Sequence, residues 1–526
     1  MPEALPLSVV VITKNEAGRL AGCLDSVRWT REVIVVDDES TDDTLAVARR
    51  YTPRVFQKRM EVEGRHRNWA YAQAAHEWVL SLDADERVTP ELGLEIQSLL
   101  RGSPESDVYS IPRRNYIGTQ WIRHGGWYPS PQVKLFRRSV FQWEDTTVHP
   151  RALTTSKKPW GTLKGDLIHY SYRDLADFVS KLNRQTTLEA QKWVLDGRRM
   201  TLWKALWRTA DRFVRTLIFK KGYRDGFIGF FVSLCGGGYQ FLSFAKYWRL
   251  KDPSEDPGVE KWSPPTLPHV PAKRLRLSAV ILTRNAAATI SRCLASVQWM
   301  DEIIVVDGES TDQTLSLCTR AGATVIRRPV TTNFGEERNV GTARATGDWI
   351  LQLDADEVVT PQFRETLEEI LRGQSPYAAY RFRRTNFFLG HRMRWGGWEH
   401  QSLHLFRRGR ARYEGRVHER LLVDGPIGSL AVGVYHYPFR SVEEFLDRQN
   451  RYTTLEAREL LEGSADDLTR HLRYQLIVRP AKLFWKLYIK KGGFLEGFYG
   501  FLFSALYSFV HHLKWAKVRE ALCASS

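Results

Sequence analysis

Cysteine is scarce in this chain, with five residues among 526 and no paired spacing. That excludes a disulfide framework and fits a reducing compartment. Cys23 and Cys293 lie in the apolar helical patterns CLDSV and CLASV and are read as small core residues. No zinc-ligand spacing is present, and no basic region leads into heptads. The net charge of +17 is therefore not read as a nucleic-acid signal; phosphorylated small molecules and an anionic membrane surface remain as partners. The opening MPEALPLSVVVITKNE has no basic cluster before its short apolar run, so no signal peptide is expected. The balance of 43% hydrophobic and 26% charged residues is that of a globular protein too long for a single core.

What is present is present twice. IVVDDESTDDT (34–44) and LSLDADE (80–86) return as IVVDGESTDQT (304–314) and LQLDADE (351–357). Two domains follow, at 1–250 and 275–526. The segment KDPSEDPGVEKWSPPTLPHVPAKR (251–274) is rich in proline and charge, has no apolar period and reads as a linker. Each copy opens as strand, helix, strand, helix, strand: LSVVVIT and LSAVILT, then GRLAGCLDSV and ATISRCLASV, then EVIVVDD and EIIVVDG. That alternation predicts an α/β fold with a doubly wound, mostly parallel sheet.

An apolar run ending in aspartate is a buried parallel strand that delivers a carboxylate to the sheet's carboxyl edge. Asp37 and the pair Asp83/Asp85 share one rim, and Asp307 and Asp354/Asp356 share its duplicate. Mg²⁺ and Mn²⁺ are held by one or two carboxylates plus substrate phosphates, which Asp-x-Asp at a strand end provides. The bland alternative is a helix N-cap cluster before VTPEL and VTPQF. Asp37 and Asp307 are placed to hydrogen-bond a base or ribose. Thr13, Asn15, Thr283 and Asn285 end the first strands beside them. Arg67 and Arg338, in HRN and ERN, are expected to pair with phosphate, against the alternative of a solvated charge.

Each copy closes on charged amphipathic helices (NRQTTLEA, NRYTTLEA), followed by aromatic apolar segments at 213–249 and 482–517. Lys, Arg, Trp and Tyr flank both. The uncharged run 227–245 approaches spanning length, but its twin at 497–510 is too short. A hairpin lying on an anionic membrane surface accounts for both, ahead of a packed appendage or a true span.

These residues resemble the family 2 inverting glycosyltransferases with a GT-A fold. VVITKNE, VVDDESTDDT, LDADE, GGWYPSPQVKLFRR (125–138) and VHP in copy one, with VILTRN, VVDGESTDQT, LDADE, GGWEHQSLHLFRR (396–408) and VHE in copy two, fit the lipopolysaccharide core branch. The terminal KKG-F-G-F segments fit it as well. The resemblance implies two tandem GT-A domains, each with a helical appendage. It also implies a nucleotide-sugar donor, usually a UDP-sugar, a lipid-linked or envelope-glycan acceptor, and a cytoplasmic enzyme peripheral on the inner face of the membrane.

It further implies that the Glu of VHE, Glu419, is the base that deprotonates the acceptor, with Asp85 and Asp356 on the metal. His169 and His436 would complete the metal shell, unless they are structural. Trp127 and Trp398 would form an acceptor wall, unless they are core. Pro150 stands where copy two has Glu419, and Ala286 where copy one has Glu16. Glu144 and Asp145 are the nearest substitutes, although Glu144 matches Glu414. Three readings follow: the transferase, a polyprenyl-phosphate glycosyltransferase needing no base, and a copy one that is a binding module beside a catalytic copy two. Nucleotidyltransferases share the fold class, but their Gly-rich loop after the first strand is missing.

Overall fold

The computed structural model describes residues 5–146, 151–251, 274–329, 333–415, 419–463 and 465–525. All of the expected linker except its two end residues lies outside them. Two compact units divide the chain: Met1–Thr186 with Arg199–Phe244, and Thr187–Arg198 with Ala245–Ser526. The division falls inside the helices Leu175–Leu195 and Gly226–Lys251, not at the 250/251 boundary read from composition.

In the first unit, Leu7–Thr13 lies between Glu32–Asp37 and Trp78–Asp83, all parallel. The register sets Thr13 opposite Asp37 and Ile12 opposite Asp83, so the three strand ends share one edge. Alternate residues feed two cores. Leu7, Val9 and Val11 pack on one face with the helices Ala17–Asp25 and Pro90–Arg101; Val10, Ile12, Ile34 and Val36 pack on the other with Glu63–Ala72. Burial on both faces explains why these strands are continuous apolar runs. The second unit repeats the register at Thr283/Asp307 and Leu282/Asp354.

Past Asp83 the chain turns through Ala84-Asp85 into a short strand, Glu86–Val88, before the helix that Pro90 starts. Thr89 caps that helix by accepting from the Leu92 N–H, and Thr360 does the same for Phe363. Such a cap stabilises a helix by about 1 kcal/mol. The short strand pairs antiparallel with Leu167–Tyr172, placing His169 opposite Glu86, and His436 stands likewise opposite Glu357. Copy one splits this region into a seven-stranded and a four-stranded sheet. Copy two keeps one nine-stranded sheet, carried by the unbroken strands Ala379–Phe388 and Ile427–Phe439. Pro112, which has no N–H for a ladder, sits at the break in copy one.

Each copy ends in a helical hairpin. Leu202–Val214 runs through a π-helical turn (Arg215–Phe219) and a 3-10 turn (Gly222–Asp225) into the long helix Gly226–Lys251. Its counterpart runs from Arg479–Trp485 through Gly493–Glu496 into Gly497–Ser525. The glycines of KKG-F-G-F close this turn. A Cβ on Gly229 would stand 1.9 Å from the Gly222 carbonyl oxygen, and one on Gly500 1.8 Å from that of Gly493.

Candidate active site

In copy two, Asp354 is held between two guanidiniums. Arg338 Nη2–H donates to Oδ1 at 2.8 Å and Arg384 Nη2–H to Oδ2 at 3.1 Å. Burial would raise this carboxyl, but Arg338 and Arg384 outweigh it and keep Asp354 below the usual carboxylate range. Arg338 also donates through Nε to Glu419 Oε1 at 2.8 Å. The residue expected to act as base is thus anchored beside the strand-end aspartates. Arg384 reaches Glu357 at 2.7 Å. Burial pushes Glu357 up to about 7, with Arg384 opposing and Asp354 adding.

Asp356 differs. Arg448 Nη1–H donates to its Oδ2 at 3.2 Å, while its Oδ1 is buried with no hydrogen-bond partner among the described residues. His436 Nε2 stands 3.6 Å from that oxygen. His436 Nδ1–H donates to Asn386 Oδ1 at 2.6 Å, which leaves the lone pair on Nε2. Burial, aided by the Arg384 charge, pushes His436 down to about 3, so the ring is neutral.

A carboxylate oxygen without a partner beside a neutral imidazole lone pair is a donor set that fits a divalent cation. Among the described residues no cluster of three His, Cys, Asp or Glu groups is found. An ion here would take the rest of its shell from water and phosphate, as Mg²⁺ and Mn²⁺ do.

Copy one builds the same rim with other cations. Arg67 donates to Asp83 Oδ1 at 3.0 Å, and Lys134 to Asp83 Oδ2 at 2.9 Å and Glu86 Oε2 at 2.6 Å. Lys134 stands where copy two has His404, which burial and then Arg338 push down to about 3. His169 Nε2 lies 3.6 Å from Asp85 Oδ2, but Arg19 Nη1 lies 3.9 Å from the same oxygen. A cation already sits beside the atom that copy two leaves open. In place of Glu419, Arg67 pairs with Glu63, one turn back on its own helix, at 3.1 Å. Pro150 and the His418 of VHE lie outside the described residues. Asp145 is paired with Arg65 at 2.8 Å and both are exposed, and Glu144 Oε2 accepts from the Arg151 N–H at 3.4 Å.

The structure gives several of these residues partners within the protein. Arg67 and Arg338 pair with protein carboxylates, because the helices Glu63–Ala72 and Phe334–Arg344 aim them at the strand ends. Asp37 and Asp307 are fully buried, and both oxygens of each accept from Ser40 or Ser310 three residues on. They set the turn after the strand. Asn15 and Asn285, at positive φ, cap the same turn by accepting from the Thr41 and Thr311 N–H groups at 2.7 and 2.8 Å. Thr13 and Thr283 do keep buried hydroxyls without partners among the described residues. Trp398 packs on Phe439, Phe503 and Tyr507, and Trp127 on Tyr172 and Phe178, so both rings are aromatic-cluster residues.

The family model for glycosyl transferase family 2 matches residues 8–156 and 278–420, more than half of the chain. The chain belongs to this family. The lipopolysaccharide core biosynthesis glycosyltransferase LpsC of Rhizobium meliloti (strain 1021) is 26% identical over 262 residues, covering 49% of this chain and 97% of that protein. Staphylococcus aureus TarS 1–349, solved with UDP-GlcNAc, aligns at 13% identity and TM-score 0.27 over 48% of this chain and 93% of that one. Glucosyl-3-phosphoglycerate synthase from Mycobacterium tuberculosis, solved with Mn²⁺, UDP and phosphoglyceric acid, aligns at 26% identity and TM-score 0.18 over 22% and 43%. The family model carries the assignment; superpositions at these TM-scores carry no argument.

In this tandem glycosyltransferase the GGW loop is tied at both ends. Asn386 donates to the Trp398 carbonyl while accepting from His436, and Asn115 repeats this with Trp127 and His169. At the other end Gly396 N–H donates to the Lys491 carbonyl at 2.8 Å, and Glu496 accepts from the Arg394 and Trp395 N–H groups at 2.6 Å. In copy one the Gly125 N–H reaches Lys220 O at 2.8 Å, and Asp225 accepts from the His124 N–H at 2.7 Å. The loop therefore links the hairpin turn to the histidine facing Asp-x-Asp. Sequence reasoning overlooked Asn115, Asn386, Arg384 and Lys134; the recurrence of RRN and RRTN between the copies was the available signal.

Proposed function

We propose that copy two is an inverting, metal-dependent glycosyltransferase. It moves a sugar from a nucleotide sugar, taken as a UDP-sugar, to a lipid-linked or envelope glycan of the lipopolysaccharide core kind. The protein works in the cytoplasm, peripheral on the inner membrane face. The observation that carries this is the placement of Glu419 across Arg338 from Asp354, with the open oxygen of Asp356 two residues further along the chain.

Glu419 takes the proton of an acceptor hydroxyl as that oxygen attacks the anomeric carbon. The bond from that carbon to the diphosphate breaks on the opposite face, and the nucleoside diphosphate leaves. Asp356 and His436 would hold a divalent cation, which supplies charge neutralisation to the leaving diphosphate. Arg338 and Arg384 fix Asp354 and, through it, the rim.

A polyprenyl-phosphate acceptor would need no base, and a working Glu419 separates the two readings. A binding role for copy one is favoured by Arg19 near Asp85 and by a proline, Pro150, at the sequence position that matches Glu419. A screen of nucleotide sugars for nucleoside diphosphate release, with and without Mn²⁺, tests the proposal. Release from none of them would sink it.

A further inference from the structure

The structure redistributes the apolar surface of the two hairpins. The long second arms are the segments whose length and composition would suffice to cross a membrane, Gly222–Lys251 and Gly493–Ala524. Yet 56% and 44% of their most apolar windows are buried within the protein. Phe231, Val232 and Cys235, and Leu502, Phe503 and Leu506, are core residues. Among the exposed large apolar side chains of the hairpins, Tyr223, Phe494 and Leu495 stand at the turns and Leu250 at a helix end, while the regularly spaced ones belong to the first arms.

On Leu202–Phe219 it is a stripe of Trp203 (77% exposed), Trp207 (66%), Val214 and Ile218. In copy two the matching residues are Tyr474, Val478, Trp485 (56%) and Ile489, with the same intervals. Helical residues four or seven apart fall on one face, so each stripe is two such pairs, one helical repeat of seven apart. A monomer does not leave paired indoles in water without reason. The two copies have diverged at the base, at the second cation on the strand-end aspartate and at the sheet break. Both nevertheless keep the stripe.

Charge selects the occupant. Lys204, Arg208, Lys220 and Lys221 accompany the first stripe; Arg479, Lys482, Lys486, Lys490 and Lys491 accompany the second. The acids nearby are spent: Asp211 on Arg215 at 2.7 Å, Asp225 on His124 at 2.8 Å and Glu496 on His391 at 2.6 Å. Aromatic and branched apolar residues between Lys and Arg suit the boundary of an anionic bilayer.

We infer that these first-arm stripes, and not the long apolar helices, dock the protein on an anionic lipid surface. This inference rests on the membrane-peripheral part of the proposed function and gives it a location. Each stripe ends at the turn that grips the GGW loop. Docking therefore sets that loop at the lipid boundary, where an amphiphilic acceptor carries its sugar.

The test is flotation of the full chain with vesicles of phosphatidylglycerol and phosphatidylcholine, against phosphatidylcholine alone. A six-site variant carries Trp203→Ser, Trp207→Ser, Ile218→Ser, Val478→Ser, Trp485→Ser and Ile489→Ser. All six positions are exposed, so the fold should survive, as circular dichroism would verify. The parent should float with the anionic vesicles, and the variant's partition should fall by at least about tenfold. A parent that stays at the bottom overturns the inference, as does a variant that floats like the parent. So does a parent that is dimeric without lipid and becomes monomeric on substitution, since the stripes would then be a self-association face. Nucleoside diphosphate release without lipid is measured in parallel. Flotation with no release from any donor leaves the docking face standing and removes the enzyme reading.

Discussion

Glu419→Gln separates chemistry from architecture. In the parent, Glu419 Oε1 accepts from Arg338 Nε at 2.8 Å, and Arg338 also donates to Asp354 at 2.8 Å. Gln has the same length and keeps a carbonyl oxygen for Nε, so Arg338 stays in place. The stability cost is the difference between a charge-assisted and a neutral hydrogen bond, about 1 kcal/mol. The catalytic cost is larger, because an amide cannot take a proton. Loss of a general base lowers turnover by roughly 10²–10⁴, or about 3–5 kcal/mol of barrier. The assay is sugar transfer by the full-length protein with kcat and KM resolved, alongside thermal unfolding. The expected pattern is a collapsed kcat with nearly unchanged KM and melting. Turnover within about threefold of the parent would refute the reasoning: Glu419 would then be only an anchor for Arg338, and a phosphate nucleophile needing no base would gain ground.

Asp356→Ala should abolish transfer with the fold intact, whereas Asp85→Ala should leave most of it; a distinct product lost with Asp85 would show copy one to be a second enzyme. Chelation should stop turnover and Mn²⁺ restore it, and a chelator-treated protein with full activity would remove the metal role. Asn386→Ala frees both His436 and the Trp398 carbonyl, and should weaken Mn²⁺ binding, read by titration, by roughly 10–100-fold. Gly335→Ala would place a Cβ 2.4 Å from the Gly415 carbonyl oxygen. It should lower stability by about 1–3 kcal/mol and disturb transfer through the neighbouring Glu419; an unchanged melt would contradict the packing.

The strand-end carboxylates were legible because burial on both faces writes itself as an unbroken apolar run, and the residue ending that run marks the rim. Asp83, Asp85, Asp354 and Asp356 stand there, and the Pro-started helix follows under a Thr cap. The partners of those carboxylates were not legible. Arg384 and Lys134 come from different strands of the second half of each copy, and which cation reaches the aspartate depends on a register that no local pattern encodes. Asn386 was hidden for another reason: its two hydrogen bonds run to a backbone carbonyl and to a histidine far along the chain. The same limit hid the partner of Asp37, whose strand position was legible but whose carboxylate turns back to Ser40.

Burial within the terminal hairpins was not legible from composition either. A hydropathy window sums side chains without regard to the face they occupy, so it ranks 226–251 above 202–219. The ranking is correct for transfer into oil and misleading for exposure. A folded unit covers its own core with its most apolar helix first, and Phe231, Leu242 and Phe244 are consumed in that way. The less apolar arm keeps its indoles exposed: Trp203 and Trp207 share a helix with Lys204 and Arg208. The reading from composition began the segment at Phe213, ten residues after the most exposed indole. A search for aromatic residues at helical spacing among basic ones, applied to both copies together, would have begun it at Trp203.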